Sequence, residues 1–119
     1  MIDCRLGEVE SRFADIIWKH GPLTSRRLAE LAEEALSWKR STTYTVLKRL
    51  CDRGLFQNQG GMVSACITRE EFYAMQSEKF VEETFSGSLP AFLAAFGSRK
   101  KLSDKELDQL QQLIDAMRG

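Results

Sequence analysis

Histidine, cysteine and proline are scarce in this 119-residue chain, which has one, three and two of them. A lone histidine, His20, cannot build a His-rich metal site within one chain, and no Cys/His pair lies close in sequence for nucleophilic catalysis. The cysteines are Cys4, Cys51 and Cys66. An odd number at wide spacing is not a disulfide framework, and without a Cys-x-x-Cys or Cys-x-Cys pair they do not form a thiolate metal site. They read as free, partly buried thiols. No glycine-rich phosphate loop follows a strand, and no carboxylate pair stands in a catalytic pattern. Glu70-Glu71 and Glu82-Glu83 read as helix-cap and solvent-face charges. No catalytic residue, metal ligand or cofactor is therefore expected, and the chain is read as a non-enzyme. Long apolar runs are also missing: none approaches the ~18 residues of a membrane span, so no membrane insertion is expected. Charges at Asp3, Arg5 and Glu8 leave no signal-peptide core near the start. The expected location is the cytoplasm.

Net charge is absent as well, at zero, but its distribution is uneven. Residues 1–68 carry 10 Lys and Arg against 8 Asp and Glu, while residues 69–119 carry 7 against 9. Within residues 38–53, Lys39, Arg40, Lys48, Arg49 and Arg53 face only Asp52. A basic stripe confined to one element is what phosphate binding requires.

The apolar pattern predicts helices first. Val9, Phe13, Ile16 and Ile17 form one stripe over residues 6–19, and His20-Gly21-Pro22 ends that helix. Thr24 or Ser25 caps a second helix that buries Leu28, Leu31, Ala32 and Ala35, and Trp38 packs beneath it from the connection. A third helix covers about 39–53 on an apolar side of Thr43, Val46, Leu47 and Leu50, and Gly54 stops it. Residues 55–57 and 63–67 then flank Asn58-Gln59-Gly60-Gly61 as a hairpin. Thr68-Arg69-Glu70-Glu71 is a capping box opening a fourth helix to about Phe85, broken by Ser86-Gly87-Ser88. Pro90 fits the first turn of a short helix. Residues 97–101 read as a linker, and Ser103-Asp104-Lys105-Glu106 caps a last helix.

Three helices and a hairpin within about 65 residues make the winged helix-turn-helix plan. The expected fold is thus mainly α with a small β-hairpin wing, organised as a DNA-binding domain over 1–68 and a helical dimerisation segment over 69–119. The third helix offers Ser41, Thr42, Tyr44, Thr45, Lys48 and Arg49 on the side its core does not use. These residue types hydrogen-bond phosphates and base edges in the major groove of double-stranded DNA. The C-terminal segment carries Phe72, Phe80, Phe85, Phe92, Phe96, Leu107, Leu110, Leu113 and Ile114 after a complete small domain. A second copy can bury this surface through an isologous interface, so a homodimer is expected. An alternative keeps the fold and gives the C-terminal aromatic region a small effector to bind.

Three stretches carry a family resemblance. Residues 38–54 end in Arg49-Leu50 followed by three residues and Gly54. Ile16-Ile17-Trp18-Lys19-His20-Gly21-Pro22-Leu23-Thr24 closes the first helix and its turn. The tail runs from Phe85-Ser86-Gly87 through Leu102-Ser103 to Leu113. In their order and spacing these resemble the penicillinase-repressor family, the BlaI/MecI/CopY-type winged-helix transcriptional regulators, over residues 6–117. The resemblance implies a homodimeric repressor of resistance or stress-response genes that binds an inverted-repeat operator, with Ser41, Thr42, Tyr44, Thr45, Lys48 and Arg49 on the DNA. It also implies pairing with a membrane sensor-protease and induction by cleavage near Ala95-Phe96. The chain departs from the family in three places. Its wing, residues 57–62, is uncharged where relatives are basic. Ala95 stands where β-lactam-responsive members have Asn. The C-terminal Cys-x-Cys pairs of copper-responsive members are missing.

Overall fold

The computed structural model describes residues 5–119, so Cys4 lies outside the described residues. Their elements are α1 (Glu8–His20), β1 (Leu23–Thr24), α2 (Ser25–Leu36), α3 (Arg40–Asp52), β2 (Phe56–Gln59), β3 (Met62–Ala65), α4 (Arg69–Phe85), α5 (Leu89–Arg99) and α6 (Asp104–Met117). The first three helices, with an antiparallel sheet of order β1-β3-β2, form a winged helix.

Each element begins and ends where local chemistry dictates. The Glu10 side chain accepts the Gly7 N–H at 3.2 Å to start α1. At its end Gly21 is extended rather than left-handed, with φ −75°. Glycine is required there for a different reason, because a Cβ would lie 2.7 Å from the Ile17 carbonyl oxygen. Thr24 caps α2, its hydroxyl accepting the Arg27 N–H at 3.0 Å. Gly60 and Gly61, at φ 60° and 88°, close β2 onto β3 as a two-residue turn of the type that matches strand twist. This turn is tighter than the four residues expected. Thr68 and Glu71 exchange the two bonds of the capping box, at 3.2 and 3.0 Å.

The core differs from the sequence pattern at its margins. In α1 it begins at Phe13, Ala14 and Ile17, whereas Val9 stays 47% exposed. In α2 it takes Leu28, Ala29 and Ala32. Ala35 is exposed, and its carbonyl accepts a bond from Arg12 instead. Trp38 packs on α1, its ring 5.0 Å from that of Phe13. The two-residue strand β1, absent from the expectation, pairs Leu23 with Val63; it is too short to show alternation.

Thr43, Val46, Leu47 and Leu50 fasten α3 to this core. The Thr43 hydroxyl is fully buried and has no hydrogen-bond partner among the described residues. Such a group costs on the order of 1–3 kcal/mol to desolvate. Thr43→Val is therefore expected to fold unchanged and to raise the thermal midpoint by stabilising the domain by about 1 kcal/mol. A lowered midpoint would show that the hydroxyl is bonded in solution.

The first compact unit runs through Lys79, and the second is Phe80–Gly119. The division thus falls inside α4 rather than at 68/69. The reason is the start of α4. Phe72 is fully buried in the winged-helix core, its ring 5.5 Å from Trp18 and 5.2 Å from Tyr73. Arg69 donates to Asp15 at 2.9 Å, a bond that raises the Arg69 pKa. Phe72, grouped by sequence with the dimer-forming phenylalanines, is a core residue of the first unit.

In the second unit Ser88 caps α5, which continues through Gly97 and Ser98 to Arg99, so only residues 100 and 101 of the expected linker 97–101 stay outside a helix. Ser103 and Glu106 form the expected capping box of α6. Phe80, Phe85, Phe92 and Phe96 stack in a chain of ring contacts 5.6–6.3 Å apart. Neither α5 nor α6 contains a fully buried residue. Phe80, Phe96, Leu107, Leu113 and Ile114 are exposed apolar side chains of this unit, whereas Leu110 is half-buried.

Candidate nucleic-acid interface

The α3 helix has two sides with different work. Residues 43, 46, 47 and 50 are in the core, so helical periodicity turns Ser41, Thr42, Tyr44, Thr45, Lys48 and Arg49 outward, and all six are exposed. Lys39 and Arg40, also exposed, stand at its N-terminus, where the first turn holds no acidic residue. Cations there oppose the helix dipole and weaken the helix slightly. The same placement adds charge to backbone N–H groups already suited to a phosphate.

The polar groups are not equally available. Thr45 donates its hydroxyl proton back to the Ser41 carbonyl at 2.9 Å. It therefore presents a methyl and lone pairs outward, fit for a thymine methyl or a base donor. Lys48 pairs with Asp52 at 3.3 Å, with both side chains largely in solvent; such a pair is worth little and separates readily. Arg49 lies 3.5 Å from Glu10 of α1. Arg53 is turned furthest from the outer face, donating to the Arg5 carbonyl at 2.8 Å and standing 3.8 Å from Glu10. Together with Arg49 it ties α3 to the start of α1.

The wing carries no charge, as the sequence requires: no charged residue lies between Arg53 and Arg69. Its amides bond within the hairpin. Gln57 donates to Ser64 at 3.0 Å, and Asn58 accepts the Gly61 N–H at 3.1 Å. Positive charge nevertheless stands beside it. The Ser25 N–H bonds the Gly61 carbonyl at 2.8 Å, so the first turn of α2 adjoins the wing turn. The next residues, Arg26 and Arg27, are exposed. The sequence reading missed them, although adjacent arginines in the first turn of a helix, where acidic residues are favoured, are a usable signal. It also missed Glu10, whose local role as a cap partner conceals its contacts with α3.

Cys51 is half-buried and Cys66 exposed, both as free thiols. Burial pushes the Cys51 thiol up, and Cys66 and Asp52 add to the effect. Ala95 and Phe96 lie within α5 on exposed positions. In the second unit Phe92, Phe96, Leu102, Leu110 and Leu113 line an open groove of about 330 Å³.

A family model described as penicillinase repressor matches residues 6–116. The chain is 23% identical over 115 residues to a penicillinase repressor of Bacillus licheniformis, covering 93% of this chain and 90% of that protein. It is 30% identical over 105 residues to an uncharacterised 16.5 kDa protein from the ptsI 3′ region of Latilactobacillus sakei, covering 85% and 72% respectively.

Proposed function

The chain belongs to the penicillinase repressor family, a family of transcriptional repressors, and from that premise we propose that it binds an inverted-repeat operator as a homodimer, with α3 in the major groove. The observation that carries this reading is the outer face of α3. Its apolar side is consumed by the core, and what remains is a run of hydroxyls and cations with no acidic residue in its first turn. Lys39, Arg40, Ser41, Thr42, Tyr44, Thr45, Lys48 and Arg49 form the contact set, Arg26 and Arg27 supply phosphate affinity beside the neutral wing, and Arg53 supports the helix from behind.

Dimerisation through the second unit rests on its exposed Phe80, Phe96, Leu107, Leu113 and Ile114. An apolar surface of this kind marks an interaction site, and an isologous interface would cover it twice over. We assign the protein to the cytoplasm and to control of a resistance or stress-response operon. No helix among the described residues is long and apolar enough to cross a membrane. A membrane sensor-protease partner acting at Ala95-Phe96 would have to unwind α5 first, because that bond is helical.

Sedimentation and selection from a random duplex library test the proposal. The protein is expected to sediment as a dimer and to enrich a two-fold symmetric sequence whose half-sites lie about 34–36 Å apart. Its affinity should fall with salt at a log–log slope of about −0.9 for each phosphate contact. A dimer that enriches no sequence even at low salt would make the chain a protein-interaction module. The α5–α6 groove favours a second reading, a one-component regulator with a small apolar effector. Release of the selected duplex by such a compound would support it.

A further inference from the structure

Glu10, to which the sequence reading gave no role, has a carboxylate that sits between two arginines of the first unit. Oε1 accepts the Gly7 N–H at 3.2 Å and stands 3.8 Å from Arg53. Oε2 stands 3.5 Å from Arg49; it is shielded from solvent and accepts no hydrogen bond from the described residues. Arg53 is itself held on the Arg5 carbonyl. The carboxylate is thus anchored from behind by its own helix cap and by a restrained cation. Its other oxygen, which is costly to bury without such compensation, is left for Arg49. The exposures run the same way: the Glu10 side chain is 20% exposed and that of Arg49 53%.

We propose that Glu10 is a positioning residue for DNA recognition, holding one edge of the Arg49 guanidinium so that its remaining N–H groups meet a base in a fixed orientation. This rests on the operator-binding reading above. The chemistry suits arginine. A planar fork with five donors can be held by one nitrogen and still present a bidentate edge to guanine O6 and N7. Restraint removes rotamer freedom before binding, which favours the one geometry that matches the base. The negative charge beside the DNA face also penalises contacts that pull Arg49 away to any passing phosphate. Glu10 therefore raises discrimination between sequences more than it raises affinity.

The test uses the full-length protein, the duplex that wild type enriches from a random library, and a scrambled duplex of the same composition. Glu10→Gln keeps an acceptor for the Gly7 N–H and removes the charge. It is expected to bind the scrambled duplex at least as tightly as wild type and to lose about tenfold in discrimination, comparable to one base-specific interaction. In an Arg49→Ala background the same substitution should cause no further loss, because residues acting through one another are not additive. Arg49→Lys leaves Glu10 intact, keeps the charge and should lose similar discrimination, which covers the case in which the Glu10 variant does not fold. Undiminished discrimination in Glu10→Gln or in Arg49→Lys, or additive losses in the double variant, would overturn the assignment. If wild type enriches no sequence at all, it is the operator-binding reading that fails.

Discussion

Alanine at both Lys48 and Arg49 should lower affinity for the recognised duplex by on the order of 1–3 kcal/mol for each base-specific hydrogen-bonding side chain removed, and reduce the salt slope by about one unit for each phosphate-binding cation removed. Both side chains leave the outer face of α3, and neither is in the core. Lys48 is 79% exposed and pairs with Asp52, itself 68% exposed, so its removal leaves no buried group of the described residues without a partner. Arg49 is different. Its substitution takes away the cation that faces the shielded oxygen of Glu10, and a modest fall in melting temperature should accompany the weaker binding. Titration of duplex at several salt concentrations, beside a melting curve, separates the two effects. Undiminished binding at physiological salt by the folded double variant would move the DNA surface away from α3, with Arg26 and Arg27 beside the wing as the next cations to test.

Phe72→Ala should destabilise the first unit by about 3–5 kcal/mol, the usual cost of deleting a buried aromatic side chain. Phe72 is fully buried and packs against Trp18, which also donates its indole N–H to the Ile67 carbonyl at 3.0 Å and stacks 5.2 Å from Phe56. The cavity would therefore open beneath the wing and beside α1 at once. Substituting Leu113 and Ile114 with aspartate should do the reverse, weakening self-association while leaving the melting of the first unit in place. Sedimentation and thermal melting of both variants make the comparison. A Phe72→Ala protein that melts like wild type but sediments as a monomer would return Phe72 to the dimer interface.

The contrast between these residues shows how far a sequence can be read. Phe72, Phe80, Phe85, Phe92 and Phe96 look alike in the chain: aromatic residues at helical spacing after a finished hairpin. Whether one of them is covered depends on what lies across from it, and Trp18, the residue that covers Phe72, sits far away in sequence on α1. Val9 and Ala35 make the same point in reverse, since both continue an apolar stripe and both end up exposed. Arg53 belongs to the basic stripe by count, yet it turns to a backbone carbonyl near the start of the chain.

What the sequence determined alone was everything governed by neighbours in the chain. The caps at Thr68 and Ser103, the stop at Gly54, the presence of a glycine-bearing hairpin turn and the outward face of α3 all follow from contacts three or four residues apart or from a single backbone angle. Those interactions also made the candidate DNA-binding surface legible, because a helix whose apolar side is recognised has its polar side decided as well. Tertiary structure alone decided where the first unit ends, that a two-residue strand completes the sheet, that Arg26 and Arg27 flank an uncharged wing, and that Glu10 stands behind Arg49. Each of these depends on burial or charge shared between segments remote in sequence. Such contacts leave no periodicity behind, because each needs only one residue on either side.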